Sequence, residues 1–375
     1  MKICHITSMH DWNDDRIYQR ACLGLAREGL EVHLVATRPK ELPVNTEVNF
    51  HWIKQRIGWK RRWYSSKEAI EKAIRVKADI YHFHDPDLLP HIVKLKNRVP
   101  YSRIVYDIHE NYTARFGQWK YTKAFSTFFV KKFRNYELKI ISKIAGYTVT
   151  TQSMHELFKS TNKPWLEIRN TVDISRIKDI DLNKESKFVN PTVYTSGTNS
   201  DARNVMETVQ ALPLIIEEYP SVNMMFVGKY QDDLKNRIND FRIDFNLGAR
   251  LIAEGMLPWK ENFKRTAKAF CGCVFYENNV NNKVTLPNRL YEYMYCGLPV
   301  VATDFPELRK VINDTNCGIL IDSDDPKAIA EGFIFLLNNP EEAKKMGERG
   351  KKAIEEKYGY HVDLKNTINL YKELI

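Results

Sequence analysis

The sequence predicts two tandem α/β domains, each a doubly wound parallel sheet, and three observations lead there. Short apolar, strand-like runs alternate with helix-length amphipathic segments along nearly the whole chain. The alternation breaks once, over residues 171–191 (TVDISRIKDIDLNKESKFVNP), and then restarts, so that stretch reads as a linker. A chain of 375 residues also exceeds one comfortable core, which makes two domains of ordinary size the natural division.

In the first half, KICHIT (2–7) is followed by a helix pattern from Arg16 to Glu28 that stops at Gly29. The next strands are EVHLVA (31–36), ADIYHFH (78–84), SRIVYDIH (102–109) and GYTVTT (146–151). In the second half the strands are PTVYTSG (191–197), VNMMFVG (222–228), ARLIAEG (249–255), FCGCVFYEN (270–278), PVVAT (299–303) and CGILID (317–322). The last helices come from DPKAIAEGFIFLLNN, PEEAKKMGERGKKAIEEKY and HVDLKNTINLYKELI. No short-period repeat is present, which excludes a solenoid.

Hydrophobic content of 43% with 12% aromatic residues suits packed cores rather than disorder. There is no apolar run of the roughly 18 residues a membrane span needs, and MKICHITSMHDW lacks the apolar core of a secretory signal. A cytoplasmic protein is expected. Four cysteines (4, 22, 296 and 317) are scattered singly, and Cys271-Gly-Cys273 lies in an apolar run, so buried strand thiols are expected rather than a zinc or redox site. The charge is uneven. Residues 1–180 hold 32 Lys/Arg against 19 Asp/Glu, a net +13, and residues 181–375 hold 25 against 28, a net −3. An anionic surface would therefore meet the N-terminal half.

Open parallel sheets bind ligands where strand ends lead into helices. One such loop is GTNSDARN (197–204): a glycine, a polar turn, Arg203 and a helix start together suit an anion, because backbone N–H groups, the helix dipole and a guanidinium all favour negative charge. A second is LPNRLYEYMYCGLPVVAT (286–303), with Pro287 as first helical residue and Asn288 and Arg289 in the first turn. Glu292 lies one turn on, where a carboxylate could accept hydrogen bonds from ribose hydroxyls. Its neighbours Tyr291, Tyr293, Met294 and Tyr295 leave the helix little exposed face. Neither a P-loop lysine motif nor GxGxxG occurs.

These segments together resemble the retaining glycosyltransferases of family 4, which have the GT-B architecture of two Rossmann-like domains facing across a cleft. LYEYMYCGLPVVAT is similar to the family's helix-Glu segment followed by Gly-x-Pro-Val, GTNSDARN to its phosphate loop, NTVD (170–173) to its interdomain Asn-Gly-Val-Asp, and FVG (226–228) to a strand-end glycine. In the first half, DIYHFHDPDLLP (79–90) and IVYDIHENY (104–112) also match. The resemblance implies an acceptor-binding domain of residues 1–170, with the last helix (about 360–375), and a nucleotide-sugar domain of residues 171–359. Gly197, Thr198, Arg203, Gly228, Met256, Leu286, Asn288, Arg289, Leu290 and Glu292 would then bind the donor. His109 and Glu292 would serve catalysis, His109 against the donor sugar. His10, Asp15, Arg16, His84, Asp85 and Glu110 would line the acceptor side or the cleft.

Three departures stand out. Eight residues before Glu292, where the family commonly has a second Glu, stands Val284. Thr198 replaces a common Arg, which leaves Arg203, with Arg289, as the cation. The first loop, SMHDWNDDRI (8–17), lacks the usual glycines, and His10, Asp15 or Arg16 would take over their contacts. Asp85-Pro-Asp87 fits a metal-holding Asp-x-Asp pattern, but Asp87 reads better as a helix cap, so neither a metal nor a cofactor is expected; the nucleotide-sugar is a co-substrate.

Between Arg115 and Lys143 eight Lys/Arg accompany the single acid Glu137, interleaved with Phe, Trp and Tyr. That composition suits a helix lying on an anionic membrane. No nucleic-acid motif accompanies it. A polyprenyl-diphosphate-linked glycan acceptor for a bacterial surface polysaccharide, met at the inner face of the plasma membrane, and a UDP-sugar donor are the resulting expectations. An epimerase or phosphorylase on the same plan and a non-catalytic basic membrane-binding protein are the alternatives.

Overall fold

The computed structural model describes all residues except 45, 59–60, 114–125, 179, 181–190 and 280–281. The stretch ARFGQWKYTKAF (114–125), which opens the basic aromatic segment, lies outside the described residues, as does most of the second half of the linker. The chain forms two compact units, Met1–Arg169 with His361–Ile375, and Asn170–Tyr360.

Among the described residues the first unit carries a seven-stranded sheet: β1 (Lys2–Ile6), β2 (Glu31–Thr37), β3 (Asn49–Ile53), β4 (Ile80–Phe83), β5 (Arg103–Ile108), β6 (Gly146–Val149) and β7 (Trp165–Glu167). Its order is β3-β2-β1-β4-β5-β6-β7. Every pairing is parallel. The second unit carries β8 (Thr192–Asn199), β9 (Asn223–Tyr230), β10 (Leu251–Glu254), β11 (Cys271–Val274), β12 (Val300–Thr303) and β13 (Gly318–Ile321), ordered β10-β9-β8-β11-β12-β13. Both sheets reverse direction of growth beside their first strand, and in such sheets that switch point is where ligands bind. Two edge elements, β3 and β7, go beyond the strands read from sequence.

Strand alternation gives the first sheet two differently filled faces. Cys4, Ile6, Tyr81, Phe83, Tyr106, Ile108, Tyr147 and Val149 fill one core. On the other face Ile3, Ile80 and Val105 pack against Ile17, Tyr18 and Tyr371 of the final helix. Further along the same strands, toward their carboxyl ends, that second face changes character: it carries His5, His82, His84, Asp107 and Thr148, all buried.

In the second unit the helix Asn288–Tyr295 is seated directly on β11. A Cβ at Gly272 would fall 2.2 Å from the Tyr293 ring, so only glycine admits this approach. The Tyr293 hydroxyl in turn accepts the Ser196 N–H at 3.1 Å. Pro287 is the N-cap with extended backbone, one residue outside the helix where the first helical position was expected. Cys271 and Cys273 are buried free thiols in β11.

Candidate functional site

The residues of GTNSDARN and the strand-end glycine of FVG assemble where β8 and β9 end. Gly197 and Gly228 are register partners on these strands. Gly228 has φ +136°, and a Cβ there would lie 1.8 Å from the Gly197 carbonyl oxygen, so any side chain is excluded. Gly197 itself has φ +109°, and a Cβ on it would lie 3.2 Å from the Arg203 guanidinium. Arg203 therefore lies across the bare backbone of Gly197. β8 runs through Thr198 and Asn199, two residues past its expected end, so Thr198 is a strand residue paired with Lys229.

Arg289 reaches the same place from the helix Asn288–Tyr295. It is 5% exposed and donates to the carbonyls of Ser196 at 3.3 Å and Phe275 at 3.2 Å, while its Nε–H has no partner. Both guanidiniums pack on the Tyr276 ring, at 5.7 Å for Arg203 and 5.4 Å for Arg289. Among the described residues neither has a carboxylate partner. Burial, and next the Arg289 charge, lower the Arg203 pKa from its ordinary value. Two desolvated cations held together without a counter-ion are unfavourable unless an anion joins them.

Glu292 follows Arg289 by three residues, so the two share a helix face. It is half-buried on a helix whose Tyr291, Tyr293, Met294 and Tyr295 are buried. Leu290 corrects the expected donor set: it is fully buried in the core, so its side chain meets no ligand. Asn288 and Met256 are exposed, Met256 at 75%, and Leu286 packs on the core edge.

In the first unit the histidine motifs gather around Asp107. Its Oδ2 accepts from Arg16 Nε at 2.9 Å, and faces His84 Nδ1 at 2.9 Å and His109 Nε2 at 2.6 Å. Its Oδ1 accepts from Arg16 Nη2 and the Thr148 hydroxyl, each at 2.7 Å. Burial alone would raise the Asp107 pKa, but Arg16 and then His109 outweigh it and hold the carboxyl well below the usual range. Arg16 also donates to the Ile168 carbonyl at 2.9 Å. Asp14, accepting from the N–H groups of Arg16 and Ile17, caps the helix that places Arg16 here.

These contacts revise several acceptor-side expectations. Arg16 is committed to Asp107 and is buried. His84 is buried and held by Asp107 on one side and His5 on the other, at 2.8 Å. Asp85 is buried too, and it organises the glycine-free first loop: Oδ2 accepts from Ser8 N at 2.5 Å, Thr7 Oγ1 at 2.8 Å and Met9 N at 3.0 Å, and Oδ1 lies 2.8 Å from His10 Nδ1. Burial raises the Asp85 pKa, but His10 and the loop donors bring it down to about 2. Burial lowers that of His10, but Asp85 outweighs this and raises it. Asp87 lies in the short turn Pro86–Leu88, and the helix after it has no side-chain cap. Asp15 is exposed beside Arg20, and Glu110 is exposed.

Two imidazoles of this group reach solvent. The His109 side chain is 11% exposed and that of His10 30%, with ring centroids 5.3 Å apart. Asp107, His5, His82 and Thr148 were not singled out from sequence. The signal was present in the two-residue alternation of IYHFH and VYDIH, which puts His82 with His84, and Asp107 with His109, on one sheet face. Ligand atoms of His84, Asp107 and His109 lie within 4.8 Å of one another, near enough to hold a metal ion. The donor set fits one poorly, because the Arg16 cation already chelates Asp107 and both histidines direct a ring nitrogen at the same carboxylate oxygen. Among the described residues, no helix is long and apolar enough to cross a membrane.

Comparison with known proteins bears on the family and the fold. Residues 16–176 match the model of Glycosyltransferase Family 4, and residues 179–353 match that of Glycosyl transferases group 1. The phosphatidyl-myo-inositol mannosyltransferase of Mycolicibacterium smegmatis is 25% identical over 263 residues, 70% of this chain and 62% of that protein. The chain thus spans less than two thirds of that relative's length. The enzyme of the same name from Mycobacterium leprae is 23% identical over 78% of this chain and 73% of its own. Among solved structures, sucrose-phosphate synthase from Thermosynechococcus elongatus superposes with a TM-score of 0.73 at 14% identity, covering 100% of this chain and 99% of its own. Anabaena Alr3699/HepE, solved in complex with UDP, does so with a TM-score of 0.74 at 12% identity, covering 100% of each chain. With two parallel Rossmann-like sheets, strand-end glycines beside paired arginines, and both family models matched in succession, the chain belongs to the family 4 glycosyltransferases of GT-B fold.

Proposed function

We propose that the protein is a retaining glycosyltransferase that moves a sugar from a nucleoside-diphosphate donor, UDP-linked, to a lipid-linked glycan in surface-polysaccharide assembly. One observation carries the reading: Arg203 and Arg289 meet over Tyr276, beside the side-chain-free strand ends of Gly197 and Gly228, with no carboxylate between them among the described residues. A diphosphate supplies the missing negative charge. Glu292, on the Arg289 face of its helix, would accept the ribose hydroxyls, with Thr198, Met256, Leu286 and Asn288 flanking the nucleotide.

In the proposed reaction, the acceptor oxygen bonds to the anomeric carbon on the face from which the diphosphate departs. The C–O bond to phosphate breaks with its electron pair going to the diphosphate, and the acceptor's hydroxyl proton passes to a phosphate oxygen. No protein nucleophile is required, and the two guanidiniums stabilise the leaving charge without a metal or a cofactor. His109 would contact the transferred sugar.

The lipid-linked acceptor is supported by the helix Ser126–Ile141, where Phe128 and Phe129 are 66% and 60% exposed beside exposed Lys131 and Lys132. The mycobacterial relatives, phosphatidyl-myo-inositol mannosyltransferases, point the same way. Phosphatidylglycerol vesicles should co-sediment the protein, and Phe128→Ser with Phe129→Ser should release it; failure to co-sediment with any vesicle would oppose a membrane-held acceptor, and equal recovery with neutral vesicles would oppose attraction by anionic lipid.

The donor is tested by a thermal-shift panel of UDP, GDP, dTDP and CDP with their common sugars, since a ligand of the native state raises the melting point. A UDP-sugar should give the largest rise. The same relatives' names favour a mannose donor as the second reading, which the panel also decides. No shift with any member would remove the donor-site assignment, and conversion of the donor without an acceptor would favour an epimerase.

A further inference from the structure

We infer that Asp107 is a positioning residue that locks His109 in its Nε2–H tautomer, so that His109 offers Nδ1, a hydrogen-bond acceptor, to a hydroxyl of the bound sugar. The contact with sugar rests on the glycosyltransferase reading; the tautomer does not.

The argument is one of donors and acceptors. Asp107, chelated through both oxygens by Arg16, stays ionised, and a carboxylate oxygen only accepts. Every group facing it must therefore present hydrogen. For His84 that group is Nδ1–H, which leaves His84 Nε2 as a lone pair, because burial lowers its pKa to about 3 and keeps it neutral. His84 Nε2 then accepts from His5 Nδ1–H at 2.8 Å. The chain ends at His5 Nε2, which is buried without a hydrogen-bond partner among the described residues. In this assignment that atom carries a lone pair. The reverse assignment would bury an unpartnered N–H and turn a lone pair of His84 toward the carboxylate, so two independent contacts choose the same direction.

His109 follows by the same rule. Its Nε2 lies 2.6 Å from Asp107 Oδ2, so it carries the hydrogen, and whenever the ring holds a single N–H its lone pair is on Nδ1. The 3.3 Å approach of His84 Nδ1 to His109 Nε2 is then two donors converging on one oxygen rather than a bond between them. Arg16 and Thr148 hold the carboxylate from its other sides, so the His109 ring is set by groups that the substrate need not touch. Its preference is chemical. A hydroxyl can donate to Nδ1, and a fluorine or hydrogen in its place cannot.

The test uses the whole chain labelled with 15N-histidine, with the His109 resonance assigned by its loss in His109→Asn. The wild-type ring should show a pyrrole-type Nε2 and a pyridine-type Nδ1, and Asp107→Asn should remove that preference. A pyridine-type Nε2 in the wild type, or unchanged His109 shifts in Asp107→Asn, would overturn the proposal. The wild-type spectrum decides the tautomer even if Asp107→Asn does not fold. Activity separates the two ring atoms, because an Asn side chain places its amide near Nδ1 and a Gln near Nε2. With UDP-glucose and GDP-mannose as probes, His109→Asn should keep at least tenfold more kcat than His109→Gln. Equal losses, or the opposite order, would refute Nδ1 as the working atom. If neither probe binds the wild type, the UDP-glucose and GDP-mannose donor readings fail while the tautomer result stands.

Discussion

Removing Arg203 should weaken nucleotide binding without weakening the fold. In the free protein this guanidinium is desolvated and lies near Arg289, and both effects lower its pKa, so its charged form is held at a disadvantage. Its described contacts are the ring of Tyr276 and the backbone of Gly197, with no ion pair to lose. Arg203→Ala therefore relieves a repulsion in the free state and should leave the melting temperature unchanged or slightly higher. In the complex it removes a charge-assisted hydrogen bond to phosphate, worth about 1.5–3 kcal/mol, or roughly 10- to 150-fold in Kd. The assay is paired: calorimetric titration of UDP with wild type and variant at two ionic strengths, and thermal melts of both without ligand. Affinity should fall, its salt dependence should flatten, and stability should hold. A lower melting temperature with unchanged UDP affinity would refute the reasoning, because Arg203 would then be a structural residue with no anion to meet.

Other outcomes follow from named contacts. Gly228→Ala should destabilise the second unit by more than the roughly 1–3 kcal/mol of backbone strain alone, because the added Cβ would fall 1.8 Å from the Gly197 carbonyl at a φ of +136°; a melt within a degree of wild type would contradict the close approach. Glu137 is a buried residue of the helix Ser126–Ile141, accepts from the Tyr106 hydroxyl at 3.3 Å, and has its pKa raised by burial, against the opposing effect of Arg134, to about 7. Unfolded, a Glu titrates near about 4.3, so between that pH and about 7 the folded state holds the extra proton and stability falls as pH rises. Hydrogen exchange of this helix should accordingly be faster at pH 8 than at pH 6 once corrected for intrinsic rates, and Glu137→Gln should flatten the difference; the same slope in the variant would move the effect to another group.

Much of the fold was legible because parallel strands buried on both faces read as short apolar runs. All six strands of the second sheet were readable this way. β3 and β7 were not, since NFHWI stands between polar flanks and WLE is only three residues long, and an edge strand needs neither a long nor a uniform apolar run. The place of the candidate anion site was legible for a different reason: Gly197, Gly228, Arg203 and Arg289 lie where strand ends and helix starts meet, and position in the alternation predicts that proximity. Side-chain direction was the harder part. Leu290 is adjacent to Arg289 in sequence but about 100° away around the helix, which turns it into the core. Asp85 and Arg16 were expected to face a ligand, whereas each partners a buried neighbour. Those partners, Asp107 and the first-loop N–H groups, come from strands and loops distant in sequence, and no local pattern joins them.

The electrostatics of the two units divide the work between them. At its strand ends the first unit cancels its charges internally, Arg16 against Asp107 and His10 against Asp85. What it leaves at the surface is the imidazole edge of His109 and the rim of His10, chemistry suited to hydroxyls. The second unit does the reverse, bringing Arg203 and Arg289 together with no acid among the described residues, an arrangement suited to an anion. Yet over the sequence the first 180 residues hold the excess of +13 and the remainder a net −3. The unit with the surplus of positive charge is therefore not the one whose site is cationic. Its excess must lie on its outer surface, where Lys131, Lys132 and Lys139 are exposed along the helix that carries Phe128 and Phe129. The proposed long-range attraction to an anionic surface and the proposed short-range recognition of a diphosphate would thus fall to different parts of the chain. They should respond separately: vesicle binding to loss of Phe128 and Phe129, nucleotide binding to loss of Arg203, each with little effect on the other.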